Sequence, residues 1–500
     1  MIYKLKSQFR GDSLKARCAR SGLILGVGAF FAKFLGFASK MILTRLLAPE
    51  AMGLMVLILS MTQLFSVLTE VGIKQSVIQN KKGAQAEYLN MAWWFQSLRG
   101  IGLYAVAFIV APWICQFYFD KPEILALHSN AEIVMMVRVA FLAYLFGGFA
   151  SPRIHVLERE FKFGKSVLIK QGSWILGIIL TIILAFTMRN VWAIVIGHVS
   201  STLFVCIFSF IFCPFRPRLN YDKESFHELY RFARGVVGLP VLTYIAYNID
   251  VLVAGKMLSA DLVGMYGMAL VLAWAPQDLF GRIVNPLLLP AFAEKQDDKE
   301  TLCRSVLKIT KVTALFGIPL TALAIICGKT ILSVVYIPEY SLVAVPFGML
   351  CIYSLLLVQG TILVSLVFAV GQPEKNRIFV GLRALILAVL IYPGIKFFGL
   401  TGAAVVLLLA SFIALCLQVT ILRKIIGLRF YDYAISWLPG LAMAVPVLVI
   451  VELSRFLKPD LPVLHLAVGA LSYMVICLAG VFLLNHNNIF DPRKSGNSGC

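Results

Sequence analysis

Ionisable side chains inside long apolar runs are the residues of this sequence best placed to do chemistry. Placing one at the centre of a membrane helix costs at least ~2.5–3.5 kcal/mol, so it faces a partner or a water-filled cavity. Lys33 and Lys40 stand seven residues apart in the first apolar run and share a helix face with Gly26. A glycine there lets another backbone or a ligand come close. Arg99 lies ~12 Å inside its own run at 1.5 Å per residue, too deep to reach the interface easily. Three cations so placed would make a positive cavity that binds an anionic group through charge-assisted hydrogen bonds. Further along, Thr243, Tyr247 and Asp250 fall on one helix face at i, i+4 and i+7, with Tyr244 and Asn248 alongside. Asp250 is the acid deep in that run, and Glu70 sits near the end of the second one. Both carboxylates are able to change protonation or bind a cation. Arg138 is close enough to an interface to snorkel and is given no role.

The elements that must position these side chains are membrane helices. In 500 residues, 60% are hydrophobic and only 14% charged, with a mean hydropathy of +0.87. That is outside the range of soluble domains. Cutting at charge and turn clusters leaves fourteen apolar spans, among them 22–47, 229–257, 262–293, 376–396 and 400–426, and runs of this length in lipid are helices. The first is expected to be retained as a span, not removed as a signal peptide, because it carries Lys33 and Lys40 and lacks a cleavage site.

The net charge of +20 would point to nucleic acid in a soluble chain, but here the cations fill short gaps between spans. Counting from a cytoplasmic N-terminus, 32 Lys and Arg fall on that side and eight on the other. The bias predicts an even number of spans with both termini cytoplasmic. The ten cysteines are scattered singly and read as small apolar residues, with no metal site expected. Pro240, Pro276, Pro286 and Pro319 interrupt apolar runs and are candidate bending points.

The chain also repeats itself. A shift of 211 residues lays R-L-L-A-P-E-A-M-G (45–53) on K-M-L-S-A-D-L-V-G (256–264), matching Glu50 with Asp261 and Gly53 with Gly264. In each copy a cation closes one helix and an acid enters the first turn of the next, where the helix dipole favours it. The expected organisation is a basic N-terminus (1–21), a six-helix bundle (22–213), a linker (214–228), a second six-helix bundle (229–426), two extra helices (433–485) and a tail (486–500). A parallel repeat of this kind builds a central cleft in transporters. The shift sets Lys40 at nearly the depth of Asp250, which makes them a candidate pair, and it sets Glu70 one residue from Arg282, a candidate gate.

The run L-T-R-L-L-A-P-E-A-M-G-L (43–54), E-V-G-I-K-Q-S-V-I-Q (70–79), L-E-R-E-F-K-F (157–163), N-V-W-A-I-V-I-G (190–197), F-A-R-G-V-V-G (232–238) with N-I-D (248–250), and V-G-Q-P-E (370–374) resemble the Wzx-type polysaccharide flippases of the MOP exporter superfamily. The likeness is to the WzxC, TuaB and ExoT group and reaches to about residue 485. It implies an all-α, MATE-like membrane fold and alternating access without ATP. It also implies a cargo of undecaprenyl-diphosphate-linked oligosaccharide at the bacterial inner membrane, handed to a polysaccharide polymerase and chain-length machinery. On that reading Lys33, Lys40 and Arg99 would hold the diphosphate. Tyr244, Tyr247, Asn248 and Trp274 would contact sugars, whereas Trp93 and Trp94 read as interfacial anchors.

Two other classes stay open on the sequence. A multidrug exporter of the same superfamily would recognise cationic drugs through a buried acid, which three cations against one central acid disfavour. A membrane polymerase or ligase needs a sizeable acidic outer loop, and no enzyme motif, cofactor motif or H-E-x-x-H appears. Coupling to a proton or to sodium, or drive from consumption of the product, are the expected energy sources.

Overall fold

A computed structural model describes residues 14–486, apart from 71, 161, 219, 220, 237, 458 and 459. Most of the expected basic N-terminus and the tail after 486 lie outside the described residues. All regular structure described is helical. Nine helices among the described residues are long and apolar enough to cross a membrane, so the chain is a multi-pass membrane protein. Large apolar side chains such as Phe397, Phe398 and Leu478 are left exposed on the helix surfaces. Such a surface suits lipid.

The helices begin and end where their residues demand it. Ser129 accepts from the Glu132 amide at the start of Asn130–Phe149, and Asp298 caps Lys299–Ile326 through the Thr301 amide. The expected eighth span, 262–293, is instead three helices, Ala260–Ala273, Ala275–Ile283 and Asn285–Ala293. Pro276 and Pro286 stand in the first turns of the second and third, where a missing amide proton costs nothing. The expected seventh span, 229–257, is also divided. Lys223–Val236 is a separate amphipathic helix, Gly238 takes a φ of +102°, and Leu239–Met257 follows. Pro240 therefore opens a helix, and Pro319 stays inside Lys299–Ile326.

Glu374–Ile426 runs 53 residues with a break at Gly399, whose φ of 58° and ψ of −140° are open only to glycine. A Cβ on Gly402 would lie 1.9 Å from the Gly394 carbonyl oxygen, so the chain turns back on itself there.

Two compact units divide the chain, one of residues up to Tyr244 with Leu258–Gly264, the other of Ile245–Met257 with Met265 onward. In the first, Ala86–Phe119 lies against Asn130–Phe149 so closely that Gly100 and Gly148 are in backbone contact. Short helices Ile73–Gln79 and Arg153–Arg159 gather at one end with Lys223–Val236, packing Ile73, Val77, Tyr88 and Leu229 into a small core. In the second, Lys299–Ile326, Ala344–Ala369 and Glu374–Ile426 pack around Leu302, Leu363, Leu366, Phe379 and Leu422.

Within the first unit the segments laid together by the 211-residue shift meet. A Cβ on Gly53 would stand 1.7 Å from the Ala260 carbonyl oxygen, and one on Gly264 would stand 2.2 Å from that of Pro49. The contact is reciprocal, each glycine facing the start of the other helix. Gly53→Ala and Gly264→Ala should each force the backbones apart and cost about 1–3 kcal/mol, as overpacking does elsewhere. Melting of the purified protein would show this, whereas Gly102→Ala, whose Cβ would meet nothing within 4 Å, should leave the midpoint near wild type.

Candidate functional site

Each unit contains a network of charged and polar side chains, buried in the second unit and half-exposed in the first. In the second unit, Asp250 on Leu239–Met257 is 1% exposed and accepts a hydrogen bond from the Tyr266 hydroxyl at 2.8 Å. Its other carboxylate oxygen has no hydrogen-bond partner among the described residues. Arg383, from Glu374–Ile426, is also buried and lies within electrostatic reach of Asp250. Its guanidinium donates to the Ala246 carbonyl at 2.7 Å and to the Tyr353 hydroxyl. It also lies over the Tyr247 ring at 4.3 Å, and Trp274 meets that ring edge-on. A planar, delocalised cation between aromatic faces is well suited to a dry site.

The structure thus brings three sequence candidates together, Asp250, Tyr247 and Trp274, and adds three that the sequence reading left out. Arg383 follows the cations of the loop before it and reads as one of them in the sequence, although nine residues of helix from Glu374 carry it ~13 Å inward. That distance was the available signal. Tyr266 and Tyr353 read as ordinary apolar-helix residues.

In the first unit a cavity of about 370 Å³ opens among Glu70, Lys74, Arg99, His155, Lys170 and His198. Arg99 donates to the Ser66 carbonyl at 2.6 Å and to the Thr69 hydroxyl at 3.0 Å, and stands 3.4 Å from the Glu70 carboxylate. It thereby caps the last carbonyls of Pro49–Leu68, where a cation is favoured by the helix dipole. Glu70 also accepts from the Gly72 amide.

Behind the cavity, Glu158 gathers three donors. Lys74 lies 3.0 Å from one oxygen, and Ser166 (3.0 Å) and Lys170 bind the other. The five residues Leu168–Gly172, which include Lys170, form a π-helical turn, a local widening common at functional sites. Burial by itself would raise the Glu158 carboxyl, but Lys170 and Lys74 outweigh it and hold it at about 2. Burial, with Lys170 adding to it, pushes His155 down to about 4.

The other candidates are placed as follows. Lys33 is exposed and Lys40 half-buried on Leu14–Leu46. The buried Tyr244 donates its hydroxyl to the Ser60 carbonyl. Asn248 is half-buried, and Arg282 is exposed at the end of Ala275–Ile283. Trp93 and Trp94 donate to the carbonyls of Phe149 and Arg218. Arg138 lies over the Phe108 ring at 3.9 Å.

Two measurements follow from these networks. Arg383→Met leaves the Ala246 carbonyl and the Tyr353 hydroxyl without their donor and removes the cation near Asp250, and should cost about 1–3 kcal/mol, as leaving buried polar groups unsatisfied does. Arg383→Met with Asp250→Asn should cost less than the two single changes added, and strict additivity in melting would show that the two groups do not interact. For His155, a folded value below the ordinary 6.5 means that the unfolded chain takes up the proton first. The stability present above pH 6.5 is therefore lost as pH falls toward 4. The melting midpoint should drop across that window, and His155→Gln should flatten the drop.

Comparison with known proteins gives these networks a context. Residues 42–345 match the family described as "Polysaccharide biosynthesis protein". The "Lipopolysaccharide biosynthesis protein WzxC" of Escherichia coli (strain K12) is 23% identical over 421 residues, covering 83% of each chain. Among solved structures, "Lipid II flippase MurJ" in an inward closed conformation superposes with a TM-score of 0.75 at 14% identity, covering 93% of this chain and 99% of that one. A multidrug resistance MATE family transporter of the MOP superfamily, in an inward-facing conformation, gives 0.59 at 13% identity over 81% of this chain and 98% of that one. At such identities the two structures speak for the fold. With the family matched over more than half its length, the chain belongs to the polysaccharide biosynthesis protein family, and its fold is that of the MOP superfamily.

Proposed function

We propose that this protein is a flippase that carries undecaprenyl-diphosphate-linked oligosaccharide across the bacterial inner membrane for exopolysaccharide, capsule or lipopolysaccharide synthesis. Its activity is transport and not catalysis. The observation that carries the reading is the unit-1 cavity, in which Lys74, Arg99 and Lys170 bring three cations to one chamber inside an apolar bundle. A chamber of that sign suits an anionic head whose tail stays in lipid. The names of WzxC, a lipopolysaccharide biosynthesis protein, and of the flippase MurJ support the same cargo class.

In this reading the chain has fourteen spans with both termini cytoplasmic, in two duplicated six-helix bundles, 22–213 and 229–426, followed by two extra helices. The reciprocal contact of Gly53 with Gly264 supports the duplication. Lys33, Lys40 and Arg99 hold the diphosphate, and Tyr244, Tyr247, Asn248 and Trp274 meet the sugars. Asp250 and Glu70 are the carboxylates through which a proton or sodium gradient would act, with Arg282 as an element of the gate. The bundles alternate between inward and outward access, and the product passes to a polymerase and its chain-length machinery.

Cells depleted of the protein should accumulate lipid-linked oligosaccharide on the cytoplasmic face, and Lys40→Ala or Asp250→Asn should reproduce the accumulation. Depleted cells that keep a normal lipid-linked pool but lose export of small organic cations would replace this reading with that of a drug exporter.

A further inference from the structure

We propose that the cavity of the first unit is a phosphate-binding site whose lysines are held, in the absence of ligand, by Glu158 acting as a displaceable internal anion. The site shares Arg99 with the set proposed to hold the diphosphate and adds Lys74, Lys170 and His155 on its lining, with Glu158 bound to the two lysines. It rests on the flippase reading only for the source of the phosphate, a lipid-linked headgroup.

The geometry is specific. Lys74 and Lys170 come from different elements, the short helix Ile73–Gln79 and the π-helical turn Leu168–Gly172, and both line the cavity. Both also bind Glu158, one at each carboxylate oxygen, and the carboxylate side chain is only 10% exposed. Two ammonium groups bridged by one carboxylate reproduce the way two lysines would clamp one phosphate. Lys74 is 51% exposed at its side chain, so it is free to turn from the carboxylate to a ligand. Lys170 sits where the helix is already widened, an irregularity frequent at functional sites.

Two further observations point to a ligand. His155 lines the cavity, and its buried Nδ1 has no hydrogen-bond partner among the described residues. A buried polar atom left so is costly, and a phosphate oxygen or hydroxyl would satisfy it. The volume of about 370 Å³ lies within the range of small-ligand sites. Among the residues lining the chamber the one acid is Glu70, and Arg99 already faces it at 3.4 Å. The remaining positive charge is balanced from behind by Glu158, which is a lock that a stronger anion can open. A diphosphate carries more charge than a carboxylate and offers more acceptor oxygens.

The test uses the purified full-length protein in detergent. Inorganic diphosphate is titrated by calorimetry in one arm, and a polyprenyl diphosphate in the micelle is titrated in the other. Lys74→Gln and Lys170→Gln should each weaken binding roughly tenfold, the usual scale for a charge-assisted hydrogen bond. Glu158→Gln should do the opposite and tighten binding several-fold, because the lysines no longer have to leave a carboxylate. Should Glu158→Gln fail to fold, Glu158→Asp, too short to bridge both lysines, should shift binding the same way. A purely structural role for Glu158 predicts weaker binding in all four variants, and that outcome overturns the proposal. So does the absence of binding in both arms of the wild type. Binding of inorganic diphosphate shows that the headgroup chemistry suffices, and binding confined to the lipid arm assigns the site to a lipid-linked phosphate. Since neither arm measures flipping, loss of the transport reading in cells would leave the result for this site intact.

Discussion

A charge buried in an apolar helix bundle has to be given its partners by the fold, and both units of this protein are organised around that requirement. Transfer of an unpaired ion out of water costs far more than any single packing contact returns. Arg383 is therefore surrounded by a carbonyl, a phenol and two aromatic faces, and Asp250 by a phenol and the nearby guanidinium. Arg99 is surrounded by the end of a helix and a carboxylate. The helices that carry these partners come from distant parts of the sequence, so the charges fix which helices meet and at what depth.

The two networks differ in chemistry. The second unit uses a guanidinium wedged among tyrosines, a planar cation with its donors pre-set, in a place with little room for water. The first uses lysines on a half-exposed helix and a widened turn beside a cavity. A lysine is a compact charge on a flexible stem and changes partners readily. One network is suited to holding helices together and the other to exchanging a counter-ion.

Much of this was legible in the sequence. Hydropathy alone showed a multi-pass helical membrane protein, and polar or aromatic residues in apolar runs singled out Asp250, Arg99, Tyr247 and Trp274. What escaped was partner identity. Arg383 stands just beyond a basic loop and looks like one more loop cation, and Tyr266 and Tyr353 look like helix filler until a carboxylate or guanidinium is set against them. Glu158 lies in a polar connection, where a carboxylate surrounded by lysines reads as solvated surface. Glu70 was matched through the repeat to Arg282, but the side chain it meets within its own unit is Arg99, a residue chosen by the way Ala86–Phe119 crosses the end of Pro49–Leu68. The breaks in the expected seventh and eighth spans came from Gly238, Pro276 and Pro286. Their local geometry is readable, but hydropathy averaged over a window hides it.

The break at Gly399 bears on how the chain meets the bilayer. The two halves of Glu374–Ile426 are joined by one residue in a conformation reserved for glycine, and Gly394 and Gly402 on either side of it are in backbone contact. The connection between the halves is therefore as short as one residue, with Lys396 the nearest charge to it. In the folded chain the halves meet the lipid as one helical hairpin whose backbone groups are satisfied internally. The close pairing of two membrane-crossing segments is thus set by a single positive φ angle.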